Sequence, residues 1–554
     1  MKVEQPAVNG CNLVRTSLPS PPQSAGAQRF FVTVGEDRFL IYAPLKGLAF
    51  IGNGPLVRAI QRQQQFHDAE LPDREDGHRQ RRTAAADPRL DFLEQLDFFT
   101  ADPEPAMPQL GNEPEYESVV LFLTNRCNLR CVYCYAGSGD GPSCDMSWPM
   151  AQAAVDHVLE LARRRPNPAL LVGFHGGGEP VLNWDVFRRT VEYARRISRL
   201  QHVEVFLSCA SNGIWTADQT RFIVEHLDQV NISFDGLPMV QNQQRPAGDG
   251  HPTAGAVCRT IRSLDEAKAD YAIRLTVTRD SVTSLAESVR FICDRFRPST
   301  LQVEPVYALG RGARLPSAIA DPVLFIEQFI QADRIAEAAG VRFFYSGARP
   351  DTITNRFCMA PLQALVVTPQ GYVTTCFEAL DPECPRQGHF IVGAYESAAG
   401  FHLDLARWRD IAADTAHLPP QCTTCFCRWH CAGDCRGVRM WEHSTTAETD
   451  RCRINKELTK YLILKKINES GGWIWRRGGI PVEEVMPEAS PPSAAKKGSR
   501  HHLYVRRDRG WVKINTIHRA SSCNDNTKTG RNPPLKSIRS MMSIWNGIRT
   551  GVVS

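Results

Sequence analysis

The stretch Thr124–Tyr135, T-N-R-C-N-L-R-C-V-Y-C-Y, carries three cysteines in a CxxxCxxC arrangement, namely Cys127, Cys131 and Cys134. Three thiolates can hold three irons of a [4Fe–4S] cluster and leave the fourth iron without a protein ligand, whereas four cysteines are the usual complement. An open coordination position on a metal centre is where substrate chemistry takes place. The spacing therefore favours a reactive iron–sulfur site over a structural zinc site, which uses four ligands.

This loop follows an apolar run, Ser118–Thr124, that is typical of a buried strand. It resembles the cluster-binding loop of the radical S-adenosylmethionine (SAM) enzymes, including the aromatic Tyr133 before the third cysteine. In that family SAM chelates the open iron and is cleaved reductively to a 5′-deoxyadenosyl radical, which abstracts hydrogen from substrate. The resemblance implies a SAM-binding [4Fe–4S] cluster, SAM itself and a reductant such as flavodoxin or ferredoxin.

Further segments resemble the other motifs of this family in the expected order. Val172–Pro180 contains a G-G-G-E-P turn, Ser211–Gly213 reads S-N-G, and Ser233–Gly236 reads S-F-D-G. Glycines let a backbone approach a ligand closely. The residues that the resemblance assigns to SAM are Tyr133, Gly176, Gly177, Gly178, Glu179, Asn212, Ser233, Asp235 and Arg274. For the SAM carboxylate, Arg245 competes with Arg274.

Strand-like and helix-like segments alternate between residues 115 and 315, which predicts parallel βα units. The predicted helices are Met150–Arg164, Trp184–Ser198, Ala217–His226 and Val257–Ala269. Six such units match the α/β fold of the radical SAM core, a partial (β/α)₆ barrel related to the TIM barrel.

A second group of seven cysteines lies between residues 350 and 465. It consists of Cys358, Cys376, Cys422, Cys425, Cys431, Cys435 and Cys452. Their spacing resembles the SPASM domain, a C-terminal extension that carries auxiliary [4Fe–4S] clusters in peptide-modifying radical SAM enzymes. The resemblance implies one cluster on Cys422, Cys425, Cys431 and Cys452, and another on Cys358, Cys376 and Cys435. The second cluster lacks a fourth ligand, which Cys384 or Cys427 could supply, or its fourth iron is open.

A departure from the sulfatase-maturing members bears on the substrate. Those enzymes carry Asp directly after the cysteine that corresponds to Cys376, where this chain has Phe377 and then Glu378. If the segment is extended, Glu378 faces away from Cys376. The sequence therefore ranks sulfatase maturation below other peptide modifications.

The N-terminal 100 residues read as two or three strands, Arg29–Val34, Arg38–Leu45 and Leu48–Gly52, followed by helices at 56–65 and 90–99. This order resembles the winged-helix-like element of peptide maturases, which binds a leader peptide by adding a strand to a sheet. An ordinary N-terminal domain packed on the core is the alternative. The charged stretch Asp68–Arg89 predicts a solvated linker.

Composition excludes several other classes of protein. The 554 residues include 18 cysteines, and the chain start has no apolar segment typical of a signal peptide, which favours metal ligation over disulfides in a cytoplasmic protein. No apolar stretch approaches the length of a membrane span. The net charge of +5 is concentrated in residues 491–554, with 13 Lys and Arg against two Asp. We predict that 480–554 is a poorly ordered basic tail. A leader-peptide or nucleic-acid contact is the alternative, and we regard nucleic acid as a poor fit.

Together these features predict a cytoplasmic radical SAM/SPASM peptide maturase that modifies a ribosomally made peptide by thioether formation, C–C cross-linking or oxidation. One alternative is a sulfatase-maturing-type oxidase of a protein Cys or Ser. The other is a non-catalytic iron–sulfur or zinc protein. The sequence assigns no catalytic acid or base.

Overall fold

The computed structural model describes residues 27–69, 90–105, 107–314, 320–441, 448–474, 504–507 and 510–513. The predicted charged linker lies outside these residues, apart from its first two positions at the end of a helix. So does most of the predicted basic tail.

The chain begins with a small antiparallel sheet and two helices. They are β1 (Phe30–Gly35), β2 (Arg38–Ala43), β3 (Leu48–Gly52), α1 (Gly54–Ala69) and α2 (Asp91–Gln95). Successive strand residues face opposite sides of a sheet. Ile41 and Ala43 accordingly pack towards the helices, whereas Leu40 and Tyr42 pack against the C-terminal helix described below. The strands and helices expected here from the sequence are confirmed.

The central part alternates strands and helices, as the sequence predicts. Its elements are β4 (Ser118–Leu121), α3 (Trp148–Arg163), β5 (Ala169–Phe174), α4 (Trp184–Gln201), β6 (Glu204–Ser211), α5 (Ala217–His226), β7 (Gln229–Ser233), α6 (Pro238–Gln244), α7 (Ala254–Glu266), β8 (Tyr271–Val277), α8 (Leu285–Arg295), β9 (Thr300–Pro305), α9 (Pro322–Ala338) and β10 (Arg342–Phe344). Strands β4 to β10 are neighbours in chain order, and each pairs in parallel with the next.

The C-terminal part continues the same sheet. Its elements are α10 (Ala360–Gln363), β11 (Ala364–Val367), β12 (Tyr372–Thr374), α11 (Pro385–Gly388), β13 (Ile391–Glu396), β14 (Gly400–Leu403), α12 (Leu405–Asp414), α13 (Arg428–Cys431), α14 (Arg436–Trp441), α15 (Asp450–Glu469) and β15 (Trp473–Ile474). Strand β11 pairs in parallel with β4 on the side away from β5, and β12 to β14 follow in antiparallel order. The result is one sheet of 11 strands.

The pairing of β11 with β4 places the C-terminal cysteine region beside the cluster loop. Leu121, the last residue of β4, lies opposite both Phe174 of β5 and Val367 of β11. All four residues of β4 and all six of β5 are buried, which explains why these strands read as continuous apolar runs rather than alternating ones. The mixed α/β class and the large, mostly parallel sheet are therefore confirmed, and closure into a partial barrel stays a prediction.

Two further strands, β16 (Tyr504–Arg507) and β17 (Gly510–Lys513), form a separate antiparallel hairpin within the predicted tail. Strand β15 pairs with β3, so the first sheet runs β1-β2-β3-β15. None of the helices in the described parts of the chain combines the length and the apolar content that crossing a membrane requires.

Candidate functional site

The cluster loop after β4 is held against the glycine-rich turn after β5. The Gly178 N–H donates to the Thr124 carbonyl at 2.7 Å, and the Glu179 N–H donates to the Arg126 carbonyl at 2.8 Å. A Cβ on Gly178 would lie 1.9 Å from the Arg126 oxygen, so only glycine fits this contact. Gly176 and Gly177 adopt φ values of +89° and +67°, the left-handed region that favours glycine.

The other side of the cluster loop is held by segments that follow α6 and β9. The Arg130 N–H donates to the Pro246 carbonyl at 2.8 Å, and the Val132 N–H donates to the Gln244 carbonyl at 2.9 Å. The Arg311 guanidinium donates to the Cys131 carbonyl at 2.9 Å. The loop conformation is therefore fixed by hydrogen bonds to its backbone.

The thiols of this loop lie in a water-poor environment. Burial raises the pKa of Cys127 to about 12 and that of Cys131 to about 11. Both thiols are therefore protonated at neutral pH unless a cation binds them, and metal binding would displace those protons.

Glu179 is buried and accepts hydrogen bonds from its neighbours on β6. One carboxylate oxygen accepts from the Ser211 hydroxyl at 2.7 Å, and the other from the Asn212 N–H at 2.8 Å. Burial nevertheless raises its pKa to about 7. A positively charged or hydrogen-donating group would therefore be stabilised beside it.

Asn212 reaches from the end of β6 to the cluster loop. Its side-chain amide donates to the Asn128 side chain at 2.7 Å and lies 3.9 Å from the Cys127 sulfur. Ser233, at the end of β7, lies opposite Arg274 of β8 in the sheet register. The structure thus brings Glu179 and Asn212, from the ends of β5 and β6, to the cluster loop, and the contacts of all four residues with SAM stay predictions.

Asp235, Tyr133 and Arg245 form a buried network that holds the cluster loop. The Tyr133 hydroxyl donates to Asp235 at 2.5 Å, and the Arg245 guanidinium donates to the same carboxylate at 3.0 and 3.2 Å. Asp235 also accepts from the Gln244 amide and the Thr276 N–H. The oxygens of Asp235 are engaged by protein donors, and Arg245 is paired, so these groups position the loop.

Arg274 differs from Arg245, which is ion-paired with Asp235. The Nε of Arg274 and one of its terminal nitrogens are shielded from solvent and have no hydrogen-bond partner among the described residues. Burial lowers its pKa, although Glu304 opposes this shift. Between the two competing arginines, the geometry therefore favours Arg274 as the group that binds an anionic ligand.

His175 is a site residue that sequence reasoning missed. It precedes the G-G-G-E-P turn, it is buried, and its Nε2 has no hydrogen-bond partner among the described residues. Burial, assisted by Arg274, lowers its pKa to about 3, so the ring is neutral at physiological pH. The signal was available, because histidine at the end of a buried strand lies at the functional edge of a parallel sheet.

Glu378 corrects the expectation that it faces away from Cys376. The segment is not extended, because the Ala379 N–H donates to the Cys376 carbonyl at 3.2 Å and closes a turn. This turn brings the Glu378 carboxylate to the side of the Cys376 and Cys435 sulfurs, close enough to raise the pKa of both thiols further above what burial alone gives. Glu378 is 4% exposed.

These residues form what we call the central site. Its members are Cys134, Tyr135, His175, Arg274, Cys376 and Glu378. Tyr135 is electrostatically coupled to four of the others, and Arg274 to His175 and Glu378. Tyr135 of the cluster loop packs in one apolar cluster with Phe377 and Cys435, and the His175 ring lies edge-on to Phe377 at 5.8 Å between centroids. The cluster loop, the central strands and the C-terminal cysteine region therefore meet in one buried region.

The remaining C-terminal cysteines form a separate group around the start of α15. It consists of Cys422, Cys425, Cys431 and Cys452, whose thiols influence one another's pKa values. Asn455 donates to the Cys431 sulfur at 3.2 Å, and Thr449 lies 3.5 Å from the Cys452 sulfur.

Cys427 lies in this second group, which bears on the missing ligand. Its thiol interacts with Cys425 and Cys431 and lies 3.9 Å from the Asn455 carbonyl. The expectation that Cys427 completes the cluster on Cys358, Cys376 and Cys435 therefore finds no support in its contacts.

Several polar atoms beside the two cysteine sets are buried without a hydrogen-bond partner among the described residues. These atoms belong to Glu378, Arg274 and His175. Burial raises the pKa of Cys127, Cys131 and Cys376, whereas hydrogen bonding from Cys427 lowers that of Cys425 to about 6. These are the features expected where a bulky metal cluster and a polar ligand are held.

Comparison with known proteins agrees with this geometry. Residues 121–291 match the Radical SAM superfamily model. The chain is 26% identical over 335 residues to the mycofactocin maturase MftC of Mycobacterium ulcerans, covering 58% of this chain and 82% of that protein. It is 27% identical over 217 residues to the pre-heme d1 synthase of Dinoroseobacter shibae, covering 39% of this chain and 50% of that protein. The chain thus spans about half the length of the latter.

The fold is also similar to solved structures. Native anSMEcpe with bound AdoMet and Kp18Cys peptide superimposes with a TM-score of 0.52 at 19% identity, covering 64% of this chain and 98% of that one. At this identity the likeness concerns the fold alone. The superfamily match and the site geometry together show a radical SAM domain at residues 121–291, and the chain is distantly similar to maturases such as MftC.

Proposed function

We propose that this protein is a radical SAM/SPASM maturase that modifies a ribosomally made peptide. The observation that carries the proposal is the central site, in which the cluster loop and the C-terminal cysteine region share one buried region with Arg274 and His175. A carrier or scaffold protein would have no use for unpartnered polar groups between two cysteine sets.

Some of these residues would bind the cofactors, and others would position the residues that bind them. Cys127, Cys131 and Cys134 would hold the first [4Fe–4S] cluster. The turn Gly176–Glu179, together with Asn212, Ser233 and Arg274, would hold SAM. When bound and reduced, this pair supplies a 5′-deoxyadenosyl radical that removes a hydrogen atom from the substrate.

The buried network of Asp235, Tyr133 and Arg245 would keep the cluster loop in one geometry. His175 is neutral and buried, so it can accept or donate a hydrogen bond without adding charge to the region. The apolar strands around these groups exclude water from the reacting atoms.

The C-terminal cysteines would hold two auxiliary clusters. One is assigned to Cys422, Cys425, Cys431 and Cys452, and the other to Cys358, Cys376 and Cys435. Clusters at these positions would accept the electron that the substrate loses when a C–S or C–C bond forms. Flavodoxin or ferredoxin is the proposed source of the reducing electron.

A peptide would reach the central site through a cleft of about 300 Å³ beside the cluster loop. Asn125, Ala136 and Gly177 line one side, and Tyr372 and Leu380 line the other. At the N-terminal sheet, the edge of β3 is covered by β15, whereas β1 pairs only with β2 among the described strands. We propose that a leader peptide adds to the edge of β1.

A second candidate is a sulfatase-maturing-type oxidase of a protein Cys or Ser. One observation favours it, because the turn after β12 brings the Glu378 carboxylate beside Cys376, where those enzymes carry Asp. We rank this candidate second because Phe377, and not an acid, directly follows Cys376.

The test uses a short precursor peptide with Cys, Ser or aromatic residues encoded beside the gene. The reconstituted protein is incubated anaerobically with SAM, dithionite and this peptide, and 5′-deoxyadenosine and peptide mass are measured. We expect 5′-deoxyadenosine together with the loss of two hydrogen atoms from the peptide, as a cross-link or an oxidation requires. An unchanged peptide alongside a modified sulfatase-derived Cys peptide would support the second candidate and contradict the first.

A further inference from the structure

The auxiliary cluster proposed at Cys358, Cys376 and Cys435 has three thiols where four ligands are usual. The structure offers a different kind of side chain at this place. Glu378 is buried, and neither of its carboxylate oxygens has a hydrogen-bond partner among the described residues. Arg274 and Arg451 are near enough to favour its charged form, but a buried carboxylate without hydrogen bonds is costly, so a group that binds it is expected.

The geometry around Gly437 defines where that group lies. A Cβ placed on Gly437 would be 3.7 Å from each of three atoms, the Cys376 sulfur, the Cys435 sulfur and one oxygen of Glu378. The two sulfurs and the carboxylate thus surround one small volume, which the absence of a side chain at Gly437 leaves open. Cys358 is coupled electrostatically to Cys376 and packs in the same apolar cluster as Cys435.

The turn at Cys376–Ala379 explains why the carboxylate of Glu378, two residues after Cys376, lies beside the Cys376 sulfur. The Ala379 N–H closes the turn on the Cys376 carbonyl at 3.2 Å. Phe377 packs edge-on against His175, with ring centroids 5.8 Å apart, and the Glu378 side chain lies beside the cysteines.

Other residues are less well placed to be the ligand. Cys427 interacts with Cys425 and Cys431 of the other group. Cys384 immediately precedes α11, and it is not among the main groups that shift the pKa of Cys376 or Cys435.

We propose that Glu378 is the fourth protein ligand of the cluster held by Cys358, Cys376 and Cys435, binding one iron through its carboxylate. This inference rests on the proposed function, because it needs an auxiliary cluster at this place. It assigns Glu378 to the metal and not to the substrate, and it leaves this cluster without an open iron.

The test compares the full-length wild type with Glu378→Ala, Glu378→Cys and Cys384→Ala. Glu396→Ala is the matched control, since Glu396 lies on β13 with a side chain that is 64% exposed. Each protein is reconstituted anaerobically and desalted. Iron and sulfide are counted, and the EPR spectrum of the dithionite-reduced protein is recorded.

We expect the wild type, the control and Cys384→Ala to hold about twelve irons per chain with the same spectrum. Glu378→Ala is expected to lose about four of them together with one auxiliary signal. Glu378→Cys is expected to regain them with that signal altered, because thiolate replaces carboxylate on one iron. This rescue distinguishes ligation from a purely structural role.

Two results would overturn the inference. One is a Glu378→Ala protein with full iron content and an unchanged spectrum, and the other is a loss of iron in Cys384→Ala alone. A wild type that holds no iron–sulfur cluster would instead contradict the proposed function itself, so the two failures are distinguishable.

Discussion

The two cysteine sets that meet at the central site are encoded in different ways. The three cysteines of the cluster loop lie within eight residues, Cys127–Cys134, and their backbone is fixed by neighbouring strand ends. Cys358, Cys376 and Cys435 are spread along the chain and come together only because β11 pairs with β4 and α14 packs behind them. A contiguous motif shows its metal site in the sequence, whereas a dispersed site shows its full ligand set only in the fold.

The largest effect is expected when a ligand of the contiguous site, Cys127, is removed, because this tests whether the two cysteine sets are independent. Cys127→Ala is expected to abolish 5′-deoxyadenosine formation, because the cluster that cleaves SAM loses a ligand. About eight of about twelve irons should remain, since the dispersed sites do not depend on it. The measurement is chromatographic detection of 5′-deoxyadenosine with an iron count.

Cys144→Ala is the control for that variant. Cys144 lies near the loop but outside the motif, and it should keep full iron content and activity. If Cys127→Ala lost all iron, the independence of the two sites would be wrong.

Arg274 and Arg245 are predicted to differ in role, the first binding SAM and the second positioning the cluster loop. Arg274→Met is expected to weaken SAM binding by about 10- to 100-fold, because charged hydrogen bonds contribute about 1.5–3 kcal/mol. It should lower thermal stability less than the loss of Arg245 does, since two donors of the Arg274 guanidinium are unpaired in the protein alone. Binding is measured by calorimetry on reconstituted protein.

Arg245→Met is the contrasting variant. It leaves Asp235 buried without its ion-pair partner, which costs about 3–5 kcal/mol. The expected result is a clearly lower Tm. A stable Arg245→Met protein that fails to bind SAM would reverse the roles assigned to the two residues.

The glycine contact that locks the cluster loop predicts a smaller effect. Gly178→Ala would bring a methyl group to 1.9 Å from the Arg126 carbonyl, so the loop must shift, at about 1–3 kcal/mol. We expect roughly tenfold slower 5′-deoxyadenosine formation, since a fold change of ten corresponds to about 1.4 kcal/mol. Gly141→Ala, with no atom within 4 Å of the added carbon, should behave as wild type, and equal rates for the two variants would contradict this contact.

A different kind of effect, which leaves the cluster loop in place, is a pH dependence of stability from Glu179. Its folded-state pKa, raised to about 7, lies above the ordinary value of 4.5, so the folded protein binds this proton more tightly than the unfolded chain. Stability relative to Glu179→Gln should therefore be greatest at low pH and fall as pH rises from 4.5 to about 7, by at most about 3 kcal/mol. Thermal melts of cluster-free protein between pH 5 and 7.5 measure this, and a constant difference between the two proteins would contradict it.

Much of the fold was predictable because the relevant signals are local. The buried runs of β4 and β5 and the helical periodicity of Ala217–His226 can be recognised within single segments, and helix α5 has the bounds expected from the sequence. The pairing of Leu121 with Val367 was not predictable, since it joins residues far apart in the chain and has no periodic signature.

The site was predictable to the same extent. The cysteines and the glycine turn follow from spacing. The positions of three other side chains depend on the folded structure. Asp235 belongs to a buried hydrogen-bond network, His175 lies at the end of a strand, and Glu378 lies in a turn. Glu378 was expected to face away because alternation was applied to a segment that is a turn and not a strand.

One measurement tests the central claim, that the two cysteine sets serve a single SAM-dependent reaction. The purified protein is reconstituted anaerobically, iron, sulfide and zinc are counted, and SAM and dithionite are added. We predict about twelve irons per chain and the formation of 5′-deoxyadenosine. Zinc in place of iron, with no 5′-deoxyadenosine, would contradict the account.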